Sequence, residues 1–385
     1  MGLVHDPLEP AVVARLSPAA QKAMAPGPVR MMAARGLVPL PQPIELMTVL
    51  YQVAVSDPAL AAAAVATADG APESVLAAAL ADPSADPRVL DWLVPRAMRA
   101  AVLFDTLVLN PTTADVTIAD LAARADARGV DLIAGNEVRL LRCPDIVAAL
   151  FNNPQARMST VDRAVETAVR AGIRVPGIAA WEELASLMAA GGTSAREAGS
   201  ITDVDVVFDR ALAAVGEVAD SAVVAASTEE GLELTAEQDK LPVLAGADDK
   251  VPINQLSIPA KIRLAALGNA FARAILIRDP MKLIAVAVIK SPGVTELEAA
   301  RYAGSHSLAH DVIRYIATRR EWTRLYGIKK SLVMNPKTPI SESSKLLSFL
   351  RANDLTLVSK SRGIPSAVVA QAKKLILSRG GGRNR

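Results

Sequence analysis

The sequence predicts an all-α protein that consists of two irregular helical-repeat (α-solenoid-like) arrays joined by an acidic linker. Helix-sized apolar runs recur along the chain, and X-Pro steps separate them. Because the residue before a proline disfavours helix, each X-Pro step indicates a boundary between successive helices. Apolar residues make up 51% of the 385 residues but aromatic residues only 3%, which favours thin layers packed through small side chains. Short helices of this kind bury their apolar faces only by stacking on neighbours.

The first two segments are an N-terminal arm and an array. Residues 1–43 are rich in proline and methionine, and we expect short helices or an arm that caps the first repeat. Residues 44–190 form the predicted N-terminal helical-repeat array. Asparagine is a good N-cap and proline fits the first helical turn, so an Asn-Pro step predicts that one helix ends and the next begins. The X-Pro steps of this array include Asp57-Pro58, Ala71-Pro72, Asp82-Pro83, Asn110-Pro111, Cys143-Pro144 and Asn153-Pro154.

The pattern of X-Pro steps stops at residues 191–255, for which we expect a flexible acidic linker. The stretch 191–259 carries 13 acidic and 4 basic residues, with glycine and serine at its border and few aromatic residues. One helix is predicted inside it, at 203–225. Its evidence is a stripe of apolar residues at helical spacing, which is Phe208, Leu212, Val215, Ala219 and Ala222.

Residues 256–377 form the predicted C-terminal helical-repeat array, and the last residues, 378–385, a disordered basic tail. The clearest unit of the array is 327–355, where an apolar turn, an Asn-Pro step and a second apolar helix follow one another. We predict that Asn335 caps a helix that begins at Pro336. The X-Pro steps of this array include Asp279-Pro280, Ser291-Pro292, Asn335-Pro336 and Ile364-Pro365.

The steps LVLNP, LFNNP and LVMNPKTP resemble those of bacterial HEAT-like and leucine-rich-repeat-variant α-helical repeat proteins. The block from Leu256 through AILIRDPMKLIAVAVIKSPGVTELE, TRREW and LVMNPKTP is similar to an uncharacterised bacterial family. The resemblance covers residues 44–190 and, more strongly, 256–377. It implies stacked helices and supplies no catalytic residues.

The sequence also bears on the compartment. The lone Cys143 excludes a disulfide within the chain and a zinc site made of cysteines alone, as is typical of a reducing compartment. The N-terminus has acids and prolines where a signal peptide needs a basic start and an apolar run. No uninterrupted apolar stretch reaches the roughly 18 to 20 residues of a membrane span. We therefore expect a soluble cytoplasmic protein.

Catalytic, cofactor and metal motifs are missing from the sequence, so we expect no enzyme, no cofactor and no metal site. Glycine-rich segments lack the Walker spacing, and there is no G-x-S-x-G elbow. His306 and His310 stand four residues apart as half of a metal site, but Ser307 occupies the position of the expected glutamate. Cys143 precedes a proline at a predicted helix start, where a thiol can become reactive. No histidine lies near it in sequence, which favours a structural role.

Charge is distributed unevenly. From residue 260 onward there are 23 lysines and arginines against 7 aspartates and glutamates, a net charge of +16. Aromatic residues Tyr315, Trp322 and Tyr326 are interleaved with the bases of one stretch, which we call the basic strip. The basic strip consists of seven candidate partner-binding residues, which are Arg314, Arg319, Arg320, Arg324, Lys329, Lys330 and Lys337.

Two functions remain open on this evidence. The first is a non-catalytic helical-repeat scaffold or adaptor that binds another protein through its repeat surface. The alternative is a protein that binds nucleic acid or another polyanion through residues 256–385, with the acidic linker competing for the same surface. A repair enzyme built on HEAT-like repeats is a third hypothesis, for which no catalytic carboxylate stands in a suitable context.

Overall fold

The computed structural model describes residues 3–189, 201–216 and 253–380. These residues contain 26 α-helices and no strand, which confirms the all-α class. None of the described helices is long and apolar enough to cross a membrane. The chain divides into two compact units, Met1–Gly177 (unit 1) and Ile178–Arg385 (unit 2).

The helices of unit 1 are α1 (Pro10–Val13), α2 (Pro18–Met24), α3 (Pro28–Ala34), α4 (Pro43–Ser56), α5 (Pro58–Asp69), α6 (Glu73–Ala81), α7 (Pro87–Trp92), α8 (Val94–Ala97), α9 (Ala101–Leu109), α10 (Asp115–Arg124), α11 (Ala127–Ala134), α12 (Glu137–Arg142), α13 (Pro144–Asn152) and α14 (Met158–Arg170). The described helices of unit 2 are α15 (Trp181–Ala189), α16 (Ile201–Gly216), α17 (Ile258–Leu267), α18 (Ala270–Leu276), α19 (Lys282–Lys290), α20 (Glu296–Gly304), α21 (His310–Thr318), α22 (Arg320–Thr323), α23 (Tyr326–Met334), α24 (Ile340–Leu347), α25 (Ala352–Lys360) and α26 (Ser366–Gly380). A 3₁₀ turn at Ile253–Gln255 precedes α17.

The N-terminal arm lies against α4. The Tyr51 hydroxyl donates a hydrogen bond to the Asp6 carbonyl at 2.8 Å, and the Ser17 hydroxyl donates to the Glu45 carboxylate at 2.8 Å. The backbone N–H of Leu8 donates to the side chain of Gln52 at 2.7 Å. The arm, which contains the short helices α1, α2 and α3, is thus fixed to α4 by polar contacts and also contacts α5 and α7.

Some X-Pro steps begin a helix as predicted. Pro58 and Pro144 are the first residues of α5 and α13, and the Asp57 side chain accepts a hydrogen bond from the N–H of Ala59 at 3.1 Å. A proline loses nothing at this position because the first N–H groups of a helix have no partner within the helix.

The Asn-Pro steps do not begin helices. The prediction that Asn335 caps a helix beginning at Pro336 is wrong, because α24 begins at Ile340 with Pro339 at its N-cap position. Residue Asn335 instead follows the last residue of α23, and its side-chain oxygen accepts the N–H of Lys337 at 2.9 Å across a turn.

The buried side chain of Asn335 joins two helices that are distant in sequence. It is 1% exposed, and its amide donates to the carbonyls of Ala303 at 2.8 Å and Ser305 at 3.0 Å. Both carbonyls lie at the end of α20, where the last carbonyls of a helix lack partners within the helix. The asparagine therefore ties the end of α23 to the end of α20.

The same arrangement occurs twice in unit 1. Asn110 and Asn153 are 3% and 1% exposed and follow α9 and α13. Their amide groups donate to Leu80 and Asp82 at 2.7 and 3.0 Å, and to Ala122 and Ala125 at 2.8 Å each. The acceptors precede the asparagines by 28 to 31 residues. Stacking of these helices into a solenoid stays a prediction.

Helix α16 packs on α17 and lies within the segment for which we expected a linker. Phe208 and Val215 are each 1% exposed, whereas Leu212 of the predicted stripe is only half-buried. The guanidinium of Arg263 lies 4.7 Å from the centre of the Phe208 ring, and the Asn269 amide donates to the Val215 carbonyl at 2.9 Å. Most of the rest of the predicted linker, at 191–200 and 217–252, lies outside the described residues, and so do residue 190 and the tail at 381–385. Ala219 and Ala222 of the stripe belong to this part of the chain.

Candidate binding groove

A groove of about 560 Å³ lies between α19 and α21 in unit 2, with α15 at one side. We call it the α19–α21 groove. Leu283, Val286 and Tyr315 are half-buried and form its apolar floor, whereas its charged groups reach solvent to a greater extent. The charged and polar residues that line it are Lys282, Lys290, Arg314, Thr318, Glu183 and Asp311.

Helical spacing explains which side chains face the groove. In α19, Lys282, Val286 and Lys290 follow one another at intervals of four, while the residues between them, such as Ile284 and Val288, are fully buried. In α21, Asp311, Arg314, Tyr315 and Thr318 have the spacing of one helix face. The opposite face of α21 is buried at Val312, Ile313, Ile316 and Ala317.

The cations of the groove differ in their partners. Lys290 pairs with Glu183 at 3.1 Å, and both side chains are partly exposed. Burial opposes ionisation of Glu183, yet hydrogen bonds from its own backbone N–H and from Lys290 hold the pKa of this carboxyl below its usual value. Lys282 and Arg314 are exposed and form no ion pair with the described residues. Two free cations therefore stand beside the apolar floor.

Tyr315 is held in place by two neighbours. Arg319 donates from Nε to the Tyr315 hydroxyl at 3.0 Å, and its guanidinium lies 5.2 Å from the centre of the ring. The buried Trp322 packs edge-on against the same ring, with centroids 6.0 Å apart. The aromatic part of the groove floor is thus fixed, and a second guanidinium, that of Arg319, lies close to it.

The groove contains only a small part of the basic strip. Arg314 lines the groove and Arg319 reaches it through Tyr315, but the other five members lie elsewhere or are engaged. Arg324 pairs with Glu296 at 3.0 Å, and Lys330 pairs with Asp354 at 3.1 Å.

The remaining three cations of the strip also differ in what their side chains contact. Lys337 donates to the carbonyls of Ser307 and Leu308 at 3.2 and 2.6 Å. Lys329 lies over the ring of Phe349 at 5.1 Å. Arg320 is exposed and makes no ion pair within the ranges that the structure describes.

Tyr326, an aromatic of the strip, is also engaged. Its hydroxyl donates to the Asp354 carboxylate and accepts the backbone N–H of Arg351 at 2.9 Å. The Arg351 guanidinium covers the ring at 4.5 Å. Burial opposes charge on Asp354, but hydrogen bonds from Tyr326 and Lys330 hold the pKa of its carboxyl below the usual value. One face of Tyr326 is therefore unavailable for stacking on a base.

Sequence reasoning missed Lys282 and Lys290. The signal was the run KLIAVAVIK, in which two lysines and a valine recur every four residues on one face. A charged face of this kind is equally typical of a helix exposed to solvent. Only the packing of α21 beside α19 turns it into a groove.

The histidine and cysteine candidates of the sequence lie outside the groove. No group of three histidine, cysteine, aspartate or glutamate side chains could hold a metal in the described ranges. His310 begins α21, whereas His306 lies in the turn before it, so the two do not share a helix face. Burial raises the pKa of the half-buried Cys143 even though backbone N–H groups of α13 bond to it, which favours the structural role.

A second cavity of about 520 Å³ lies in unit 1 around Trp92. The Arg96 guanidinium lies over the Trp92 ring at 4.2 Å and pairs with Asp69 at 3.0 Å. His5 contacts Asp91 at 2.8 Å. Because these charges are already paired within unit 1, the α19–α21 groove is the stronger candidate site.

No protein-family model, no curated protein and no solved structure matches this chain at a significant level.

Proposed function

We propose that this protein is a non-catalytic scaffold or adaptor that binds a segment of another protein in the α19–α21 groove. The observation that carries the proposal is the pairing of a fixed apolar floor with two free cations, Lys282 and Arg314. An apolar floor supplies binding energy through burial, and flanking charges select the partner and its orientation. Proteins made of helical repeats commonly use exposed helix faces in this way.

The chemistry of the lining supports binding rather than catalysis. A general acid or base works best with a pKa near the operating pH. The pKa of Glu183 is shifted downward, away from neutrality, by its hydrogen bonds, although burial opposes that shift. The groove residues thus provide recognition without an evident proton shuttle.

A protein partner fits the charges better than nucleic acid does. Glu183 and Asp311 stand among the three cations of the groove, so a short segment can place its charges at the cations alone, whereas a continuous phosphate backbone also passes the two carboxylates. Lys330, which the nucleic-acid hypothesis requires, already pairs with the buried Asp354. Binding that depends on phosphate neutralisation needs several free cations along one track.

The proposal includes two arrays of stacked helical repeats in a cytoplasmic, bacterial protein. The stacking of the helices is supported by the buried asparagines Asn110, Asn153 and Asn335. Their amide groups donate equivalent hydrogen bonds to carbonyls at helix ends about 30 residues earlier. A repeated bond at a repeated interval is what stacked copies of one structural unit require.

The experiment is selection of a displayed random-peptide library on the immobilised full-length chain. The test variant is Val286→Lys, which puts a long charged side chain on the floor. The matched control is Leu357→Lys, at a residue of α25 that is 56% exposed. We expect enriched peptides that bind the wild type and the Leu357→Lys variant but do not bind the Val286→Lys variant. Absence of enriched peptides, or peptides that bind all three proteins equally, refutes the proposal.

A further inference from the structure

We infer that the segment bound in the α19–α21 groove is acidic, with two carboxylates four residues apart and an apolar side chain midway between them. This inference rests on the proposed function and deepens it by naming the chemistry of the partner. Its basis is the order of residues along α19, where Lys282, Val286 and Lys290 line the groove in that sequence.

The spacing follows from helix and strand geometry. Lys282 and Lys290 are eight residues apart, and a helix rises about 1.5 Å per residue, so their Cα atoms are separated by about 12 Å along the axis. An extended peptide rises about 3.3 Å per residue and points every second side chain to the same side. Residues four apart on such a peptide are therefore separated by about 13 Å. The residue between them faces Val286.

Charge complementarity selects carboxylates at the two ends of this motif. Lys282 has no ion-pair partner among the described residues, and Arg314 of the facing helix is also free. Lys290 is paired with Glu183, but the two side chains are 30% and 45% exposed, so water competes for this contact. A carboxylate of the ligand can therefore replace Glu183 as the partner of Lys290 with little loss of free energy. The floor then receives the apolar side chain of the ligand against Val286 and Tyr315.

Glu183 consequently acts as a resident competitor. Its carboxylate occupies the lysine that the second ligand carboxylate needs, and it repels that carboxylate. Removing its charge without changing its size, by Glu183→Gln, should strengthen binding about twofold to fivefold, the range expected for one exposed ion pair. A residue with a purely structural role would weaken binding or leave it unchanged when replaced.

The test is fluorescence anisotropy of the full-length chain with a fluorescein-labelled peptide in which glutamate, serine, leucine, serine and glutamate follow one another. A control peptide has the same composition with the two glutamates adjacent. We expect the first peptide to bind more tightly than the control, with an affinity that falls as salt rises. Lys282→Glu should weaken binding on the order of tenfold, because an attraction becomes a repulsion.

The matched protein control is Lys374→Glu, which makes the same change of charge at an exposed residue of α26 that does not line the groove. It should leave binding unchanged, and circular dichroism should show that each variant is folded. Lys282→Ala should weaken binding in the same direction as Lys282→Glu.

Four results overturn the inference. They are absence of binding by the spaced peptide, equal binding by the control peptide, wild-type affinity in Lys282→Glu, and tighter binding of a single-stranded oligonucleotide than of the spaced peptide. If library peptides still require Val286 in any of these cases, the groove binds a protein segment of different chemistry, and only the acidic motif is wrong.

Discussion

Replacing Asn335 by alanine removes three hydrogen bonds at once from the junction of α20 and α23. Two are donated to the carbonyls of Ala303 and Ser305, and one is accepted from the N–H of Lys337. A hydrogen bond within a protein contributes about 1 kcal/mol net. Because Asn335 is 1% exposed, water does not readily replace the lost groups. We expect the free energy of unfolding to fall by roughly 3 kcal/mol, whereas loss of an N-cap costs about 1 kcal/mol.

The variant Asn335→Asp separates the two interpretations. Aspartate is as good an N-cap as asparagine, so a capping role predicts little change. In the observed geometry, aspartate keeps the acceptor for Lys337 but loses both donors and places a carboxylate against two carbonyls. We therefore expect Asn335→Asp to destabilise the protein about as much as Asn335→Ala does. Asn353→Ala, at an exposed residue of α25, is the matched control and should change stability by less than about 0.5 kcal/mol.

The measurement is urea unfolding of the full-length chain by circular dichroism, together with amide hydrogen exchange of peptides that cover 296–334. Exchange is needed because the chain has two units and a single transition is not assured. Faster exchange in α20 and α23 should accompany the loss of stability. Wild-type stability in Asn335→Asp, or a cost of only about 1 kcal/mol in Asn335→Ala, would refute the reasoning.

The remaining predictions concern one ion pair, one carboxylate and one thiol. Arg273→Met leaves Glu298 buried without the guanidinium that binds it at 2.8 Å, so urea unfolding should show a loss of about 3 to 5 kcal/mol. Burial opposes ionisation of Asp354, but its hydrogen bonds hold the pKa of its carboxyl below the usual value. The ionised carboxylate therefore stabilises the fold fully above the unfolded-state pKa of about 4, and this contribution is lost as pH falls through the folded-state pKa. The difference in unfolding free energy between wild type and Asp354→Asn should shrink below about pH 4, and a constant difference contradicts this. Cys143, whose pKa burial raises, should react with iodoacetamide at pH 7 more slowly in the folded protein than in urea.

The sequence predicted helices well where the determining interactions are local. Pro58 and Pro144 begin helices because proline fits the first turn and its missing N–H has no partner to lose. Asn335 was assigned a local role by the same reasoning, and that assignment was wrong. Its amide donates to carbonyls 30 and 32 residues earlier, and no pattern within a single helix specifies those acceptors.

The candidate site was less predictable than the fold for a related reason. The basic strip is contiguous in sequence, but helices turn neighbouring residues to different sides, so Arg314 and Lys330 lie in different surroundings. The groove combines Lys282 with Arg314, which are 32 residues apart and belong to helices that pack side by side. Their proximity depends on how α21 stacks on α19.

Net charge is a poor guide to what this protein binds, because a partner interacts with the charges that remain unpaired. The net charge of +16 after residue 260 includes cations that the fold already uses, such as Arg273 against Glu298 and Lys261 against Asp279. The field of such pairs is short-ranged and further screened by salt. Lys282 and Arg314 differ in that no described residue neutralises them and that apolar surface lies between them. Two free charges beside an apolar floor suit a short acidic peptide, whereas a nucleic acid requires a longer track of free charge.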